Sequence, residues 1–160
     1  MRPHQIFASM TQEKFDQVMA KLGEESPEAI HNTTVAAAQV LKFRPKFLLK
    51  QKPAKRAASV RQAMGRMSAN DLAEELLAVY FLKCRLDLLT EWLDLVGLEH
   101  EEGILTQDEA PCPETAELET KVRKFRSADE DDDRTLLLRV FSAQSSIDWP
   151  ALAAMISDEA

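Results

Sequence analysis

Apolar residues recur at the three-to-four-residue spacing of α-helices along most of this chain, and no stretch alternates strictly enough to read as a dependable strand. Phe15, Val18, Met19 and Leu22 predict a helix over about 11–22, with Gly23 placed to end it. Ser26 and Pro27 read as an N-cap and a first-turn proline opening a second helix to about Lys42. Its apolar face is Ile30, Val35, Ala38 and Leu41, with Ala37 beside them. Pro45 interrupts next, and Phe47-Leu48-Leu49 suggests a short helical turn that anchors the connection. Pro53 can begin another helix running to about Met67. At 100° per residue this helix carries Lys55, Arg56, Ser59, Gln62 and Arg66 on one side, with Val60, Met64 and Met67 on another and Arg61 at the boundary.

The longest apolar pattern spans 71–98 and is expected at the centre of the fold. Ser68 and Asn70 are cap candidates, and Asp71, Glu74 and Glu75 follow in the first turn, where the helix dipole favours negative charge. Apolar side chains surround the helix as far as Leu82, a break near Cys84–Asp87 would make two helices of one, and Gly97-Leu98 fits a Schellman stop. Residues 99–113 read as an acidic loop. Helical spacing returns over about 114–127 (Leu118, Val122, Phe125) and 131–144 (Leu136, Leu137, Val140, Phe141), and a last helix opens near Asp148-Trp149-Pro150. The segment Leu76–Phe81 ahead of Trp92-Leu93 is echoed by Leu137–Phe141 ahead of Trp149-Pro150, which admits HEAT-like helix pairs. The expected fold is all-α: a single compact bundle of about six or seven helices, one domain over 1–160.

Charge changes this picture by being sorted along the chain. Between Glu28 and Asp71 there is no acidic residue and nine basic ones, whereas the formal net charge of the whole is −7. The segment 42–66 reads either as a solvated face or one paired with the chain's own acidic half, or as the first candidate for contact with an anionic partner. Its two aromatics, Phe43 and Phe47, are few for base stacking, no nucleic-acid-binding signature is present, and the pI of about 5.0 is far from a basic footprint.

Other chemistry finds little support. The run Asp129–Asp133 lacks the ligand spacing and central glycine of a calcium loop and reads as capping of the helix that follows. His4, His31 and His100 do not form a metal-ligating set, so neither metal nor cofactor is expected. Cys112 lies among prolines and carboxylates that disfavour its thiolate, and Cys84 reads as a small core residue. No nucleophile elbow, phosphate-cradling glycine loop or zinc-helix motif occurs, so catalytic residues are not assigned. Lys55-Arg56-Ala57-Ala58-Ser59 matches the common basophilic-kinase pattern, but Ser59 falls inside a helix. Trp92, Trp149, Tyr80, Phe81 and Phe141, at helical spacing among leucines, read as core.

Two cysteines argue against a disulfide scaffold, Met1–Phe7 lacks the apolar stretch of a signal peptide, and charges interrupt the most apolar segment. A cytoplasmic protein without a membrane span is expected. Together these features point to a non-enzymatic interaction or adaptor module that binds a protein partner or itself through charge-complementary surfaces, with Lys50, Lys52, Lys55, Arg56 and Arg66 as partner-binding residues. The alternative is an accessory nucleic-acid binder using the same segment.

Overall fold

Helices occupy each stretch where the spacing placed them, and the fold is all-α with one short hairpin among the described residues. The computed structural model describes residues 1–129 and 132–157. Glu130 and Asp131 of the acidic run lie outside the described residues, as does the expected helix start at about 131. Ten α-helices appear among the described residues, more than the six or seven expected. The surplus comes from two short helices and from division of the 71–98 segment. The chain divides into two compact units, Met1–Cys84 and Arg85–Ala160.

The N-terminal unit opens with α1 (Pro3–Ala8), a helix too short for periodicity to reveal. Tertiary contacts hold it instead: Ile6 and Phe7 are buried, and His4 presents both its backbone N–H and Nδ1 to Asn70 Oδ1, at 3.2 and 2.8 Å. That use of Asn70 removes it as a cap. The helix α6 (Asn70–Val79) has no side-chain cap and is entered through a 3₁₀ turn, Met67–Ala69. In α2 (Gln12–Glu25) Thr11 Oγ1 accepts from the Lys14 N–H at 3.3 Å. This helix passes through Gly23, where a stop was expected, and ends at Ser26. A glycine weakens a helix without terminating it, whereas Pro27 sterically drives Ser26 to φ −163°, ψ 116°. Ser26 Oγ then accepts from Ala29 N–H at 3.2 Å and starts α3 (Pro27–Leu41), as its sequence indicates.

Along α3 the buried residues are Thr33, Thr34, Ala37, Ala38 and Leu41, while Ile30 and Val35 of the expected face are only half-buried. Small side chains on this face suit close packing against α5 (Pro53–Met64), which contributes Val60, Ala63 and Met64 to the core. Phe7 and Phe15 meet edge-to-face at 5.9 Å. At the end of α3, Lys42 adopts the left-handed conformation (φ 60°, ψ 33°) and Phe43 N–H closes on Ala38 O at 2.8 Å. A β-carbon at that φ costs about 1 kcal/mol. Lys42→Gly is therefore expected to raise stability by about 0.5 kcal/mol in denaturant unfolding, the looser unfolded chain offsetting the rest of the relieved strain. An unchanged or lower midpoint would show that Lys42 is held by more than its backbone.

The 71–98 segment is not one central helix. After α6 the chain continues as a π-helical turn, Tyr80–Cys84, and Arg85 leaves helical geometry at φ −132°, ψ 43°. Tyr80 and Phe81 complete the core of the N-terminal unit.

In the C-terminal unit, α7 (Leu86–Leu95) ends as anticipated, with Gly97 at φ 75° and Leu98 N–H donating to Leu93 O at 2.9 Å. The expected acidic loop contains a hairpin, β1 (His100–Glu101) and β2 (Ile104–Leu105), whose turn residues Glu102 and Gly103 both have positive φ. Two residues per strand are too few for alternation to announce it. Then come α8 (Thr115–Arg126), α9 (Asp133–Gln144) and α10 (Pro150–Ser157). The capping reading of the acidic run holds at Asp129: its carboxylate accepts from the N–H groups of Arg134 and Thr135, each at 3.1 Å, and from Thr135 Oγ1 at 2.8 Å. Asp133 is buried and accepts from Arg85 Nη1 at 2.6 Å. Burial works to raise the pKa of nearby Asp87, but its hydrogen bond to Arg85 and that residue's charge prevail and hold it below the usual carboxylate value. The aromatics are core, as read: Phe125, Trp92, Phe141 and Trp149 form a chain of ring contacts at 5.3, 5.8 and 5.9 Å. Trp149 Nε1 donates to Ala110 O at 3.1 Å and pins the loop after the hairpin.

Candidate interaction surface

The division into units is also a division of charge. Met1–Cys84 carries 13 Lys and Arg against 8 Asp and Glu, a formal +5, and Arg85–Ala160 carries 7 against 19, a formal −12. Within the positive unit the excess is concentrated between the end of α3 and the first turn of α5.

Local backbone chemistry builds this stretch. Lys42 turns the chain out of α3, Arg44 is extended ahead of Pro45, and α4 (Pro45–Leu49) is one turn long. So short a helix buries one face only: Leu48 enters the core, while Phe47 remains 56% exposed. The expected anchoring role therefore falls to Leu48, not Phe47. Phe43 is 45% exposed, and the two phenylalanines meet edge-to-face at 5.7 Å on the surface. Lys42, Arg44, Lys46 and Lys50 surround them in sequence, all exposed.

Helix α5 continues the positive surface in an unfavourable way for itself. Lys52 occupies its N-cap, Lys55 and Arg56 fall in its first turns, and it has neither an acidic first-turn residue nor a side-chain cap. Cations at that end oppose the helix dipole by about 0.3–1 kcal/mol each. In α2, α3 and α6 the same position holds Glu13, Glu28 and Asp71. Lys50, Lys52 and Lys55 are exposed and Arg56 is half-buried; none of the four pairs with a carboxylate of its own unit, although Lys21 and Lys83 do, with Glu24 and Glu25 at 3.4 Å.

Arg66 does not join this cluster. Helix α5 ends at Met64, so Arg66 and Met67 leave the helical projection: Arg66 is exposed as the extended residue ahead of the 3₁₀ turn, and Met67 is exposed instead of apolar-facing. Arg61 is spoken for. Its guanidinium donates to Gln12 Oε1 and to Met10 O at 2.7 Å and lies over the Phe15 ring, tying α5 to the turn before α2. Beside it runs an open groove of about 640 Å³, whose lining includes Ala8, Ala54, Ala57 and Ala58 together with Gln12 and Asp16. Its one cation is Arg61, which these contacts already use.

Among the described residues no cluster of three or more His, Cys, Asp or Glu is placed to hold a metal ion. Cys84 is half-buried with its thiol 3.9 Å from Gln17 O, and Cys112 is exposed; the two are not joined in a disulfide. No described helix is long and apolar enough to cross a membrane. The contact between Phe43 and Phe47 and their exposure are not visible in the sequence, although a single helical turn bounded by Pro45 and Lys50 is a signal that only one side can be covered. No family model, curated protein or solved structure matches the chain.

Proposed function

We propose that this chain is a non-enzymatic, cytoplasmic protein-interaction module whose contact is the cationic surface of Met1–Cys84, and that its partner presents carboxylates. One observation carries the reading: Lys50, Lys52, Lys55 and Arg56 crowd the positive end of α5 without a carboxylate of their own unit, beside an exposed pair of phenylalanines. A local conflict of this kind costs the fold and is relieved by an anion from outside. The phenylalanines supply the apolar area that charge alone lacks, since exposed ion pairs contribute little affinity.

The reading has a direct test in the quadruple change Lys50→Glu, Lys52→Glu, Lys55→Glu and Arg56→Glu. Partners recovered from the native host with the parent chain should be lost with the variant, while its circular dichroism stays helical. Because acidic residues suit the first turn of α5, its thermal midpoint should hold or rise. Unfolding of the variant would mean that these side chains serve the fold. Retention of every partner would mean that the contact lies elsewhere.

The Phe43–Phe47 pair among lysines also favours a second reading, a stacking platform for single-stranded nucleic acid. Fluorescence anisotropy with a short oligonucleotide separates the two: binding whose log–log salt slope scales with phosphates contacted supports nucleic acid, and no binding at low salt removes it.

A further inference from the structure

Resting on the interaction reading above, we infer that the partner seated on the Phe43–Phe47 surface is a second copy of this chain, entering with its hairpin tip around Ile104. The first ground is charge. The same molecule carries a +5 unit and a −12 unit, so one copy offers another the complement of its own cationic surface. The second is the placement of exposed apolar side chains. In the described part of Arg85–Ala160 Ile104, at 63% exposure, is the one large apolar residue left in solvent, and it stands in the acidic hairpin.

Hairpin register makes the match specific. Glu101 and Ile104 are cross-strand partners, so their side chains lie together on one face of the ribbon, with Glu102 next at the turn. An apolar side chain flanked by carboxylates is thus offered to apolar rings flanked by Arg44, Lys46 and Lys50. The tip is also held in shape before contact. His100 Nε2 lies 2.8 Å from Asp94 Oδ1, His100 Nδ1 accepts from Gly103 N–H at 3.2 Å, and Thr106 N–H donates to Glu99 O at 3.1 Å. A preorganised tip loses little conformational freedom on docking. The contact joins unlike surfaces, which is heterologous assembly.

Sedimentation velocity on the full chain tests this. At about 50 mM salt the parent should sediment above its 18.0 kDa monomer mass with rising concentration, and about 500 mM salt should return it to 18.0 kDa. Two variants are compared: one with Arg44→Glu, Lys46→Glu and Lys50→Glu, the other with Glu101→Lys and Glu102→Lys. Each alone should associate at least about tenfold more weakly. An equal mixture should recover association, because the first supplies an intact hairpin and the second an intact cationic surface. A parent that stays monomeric at low salt, or a mixture no stronger than its components, overturns the inference. Association that persists in either variant alone also overturns it, since the copies then meet elsewhere. Loss of a host partner by the quadruple variant, with the parent monomeric, leaves the interaction reading standing and this one refuted; retention of every partner removes the interaction reading itself.

Discussion

Asp133→Ala should lower the stability of the C-terminal unit by about 3 kcal/mol or more, the cost of removing one member of a buried ion pair. Its side chain is 1% exposed and holds Arg85 Nη1 at 2.6 Å. Once the carboxylate is gone, Arg85 loses this short contact, and its contacts to Asp87 at 3.3 and 3.4 Å are longer and made by a partner that is itself 68% exposed. Screening makes those contacts a poor substitute. The comparison that decides the matter is Glu91→Ala, which removes the Arg134–Glu91 pair at 2.8 Å; half-exposed Glu91 should cost about 1 kcal/mol or less. Urea unfolding followed by circular dichroism measures both. Equal losses for the two would mean that Asp133 acts as an ordinary surface charge despite its position.

Trp92→Ala is the second large effect, at about 3–5 kcal/mol. Trp92 is fully buried and touches Phe125 and Phe141, so alanine opens a cavity where α7, α8 and α9 share aromatic contacts. Trp92→Phe should be far milder, about 1 kcal/mol or less. The lost ring area is partly offset because Trp92 Nε1 is buried without a hydrogen-bond partner among the described residues, and phenylalanine removes that unsatisfied donor. If phenylalanine costs as much as alanine, indole shape outweighs the donor and the packing account fails.

What could be read from the chain beforehand follows the range of the forces involved. The stop at Gly97-Leu98, the Ser26-Pro27 start and the acidic cap on α9 are local arrangements of a few residues, and their chemistry is visible in order along the chain. Helix α1 and the use of Asn70 depend on partners 66 residues apart, which no window of sequence displays. Gly23 misled because glycine ends a helix only where a left-handed residue is needed, and the next proline set the boundary instead. At the surface, exposure of Lys50, Lys52 and Lys55 was legible from their charge, whereas Phe43 and Phe47 belong to a residue type that is usually buried. Their exposure arises from the brevity of α4, and Arg66 left the cluster because α5 stops two residues short of it.

Both indoles of the protein, Trp92 and Trp149, belong to the unit that begins at Arg85, while the single tyrosine, Tyr80, belongs to the other. Intrinsic emission excited at the red edge of indole absorption therefore reports on one half of the molecule, and far-ultraviolet ellipticity reports on both. Superimposed melting curves from the two signals would mean cooperative, all-or-none loss of structure, and a lag between them would reveal stepwise melting. The chain thus carries its own label-free means of telling these cases apart.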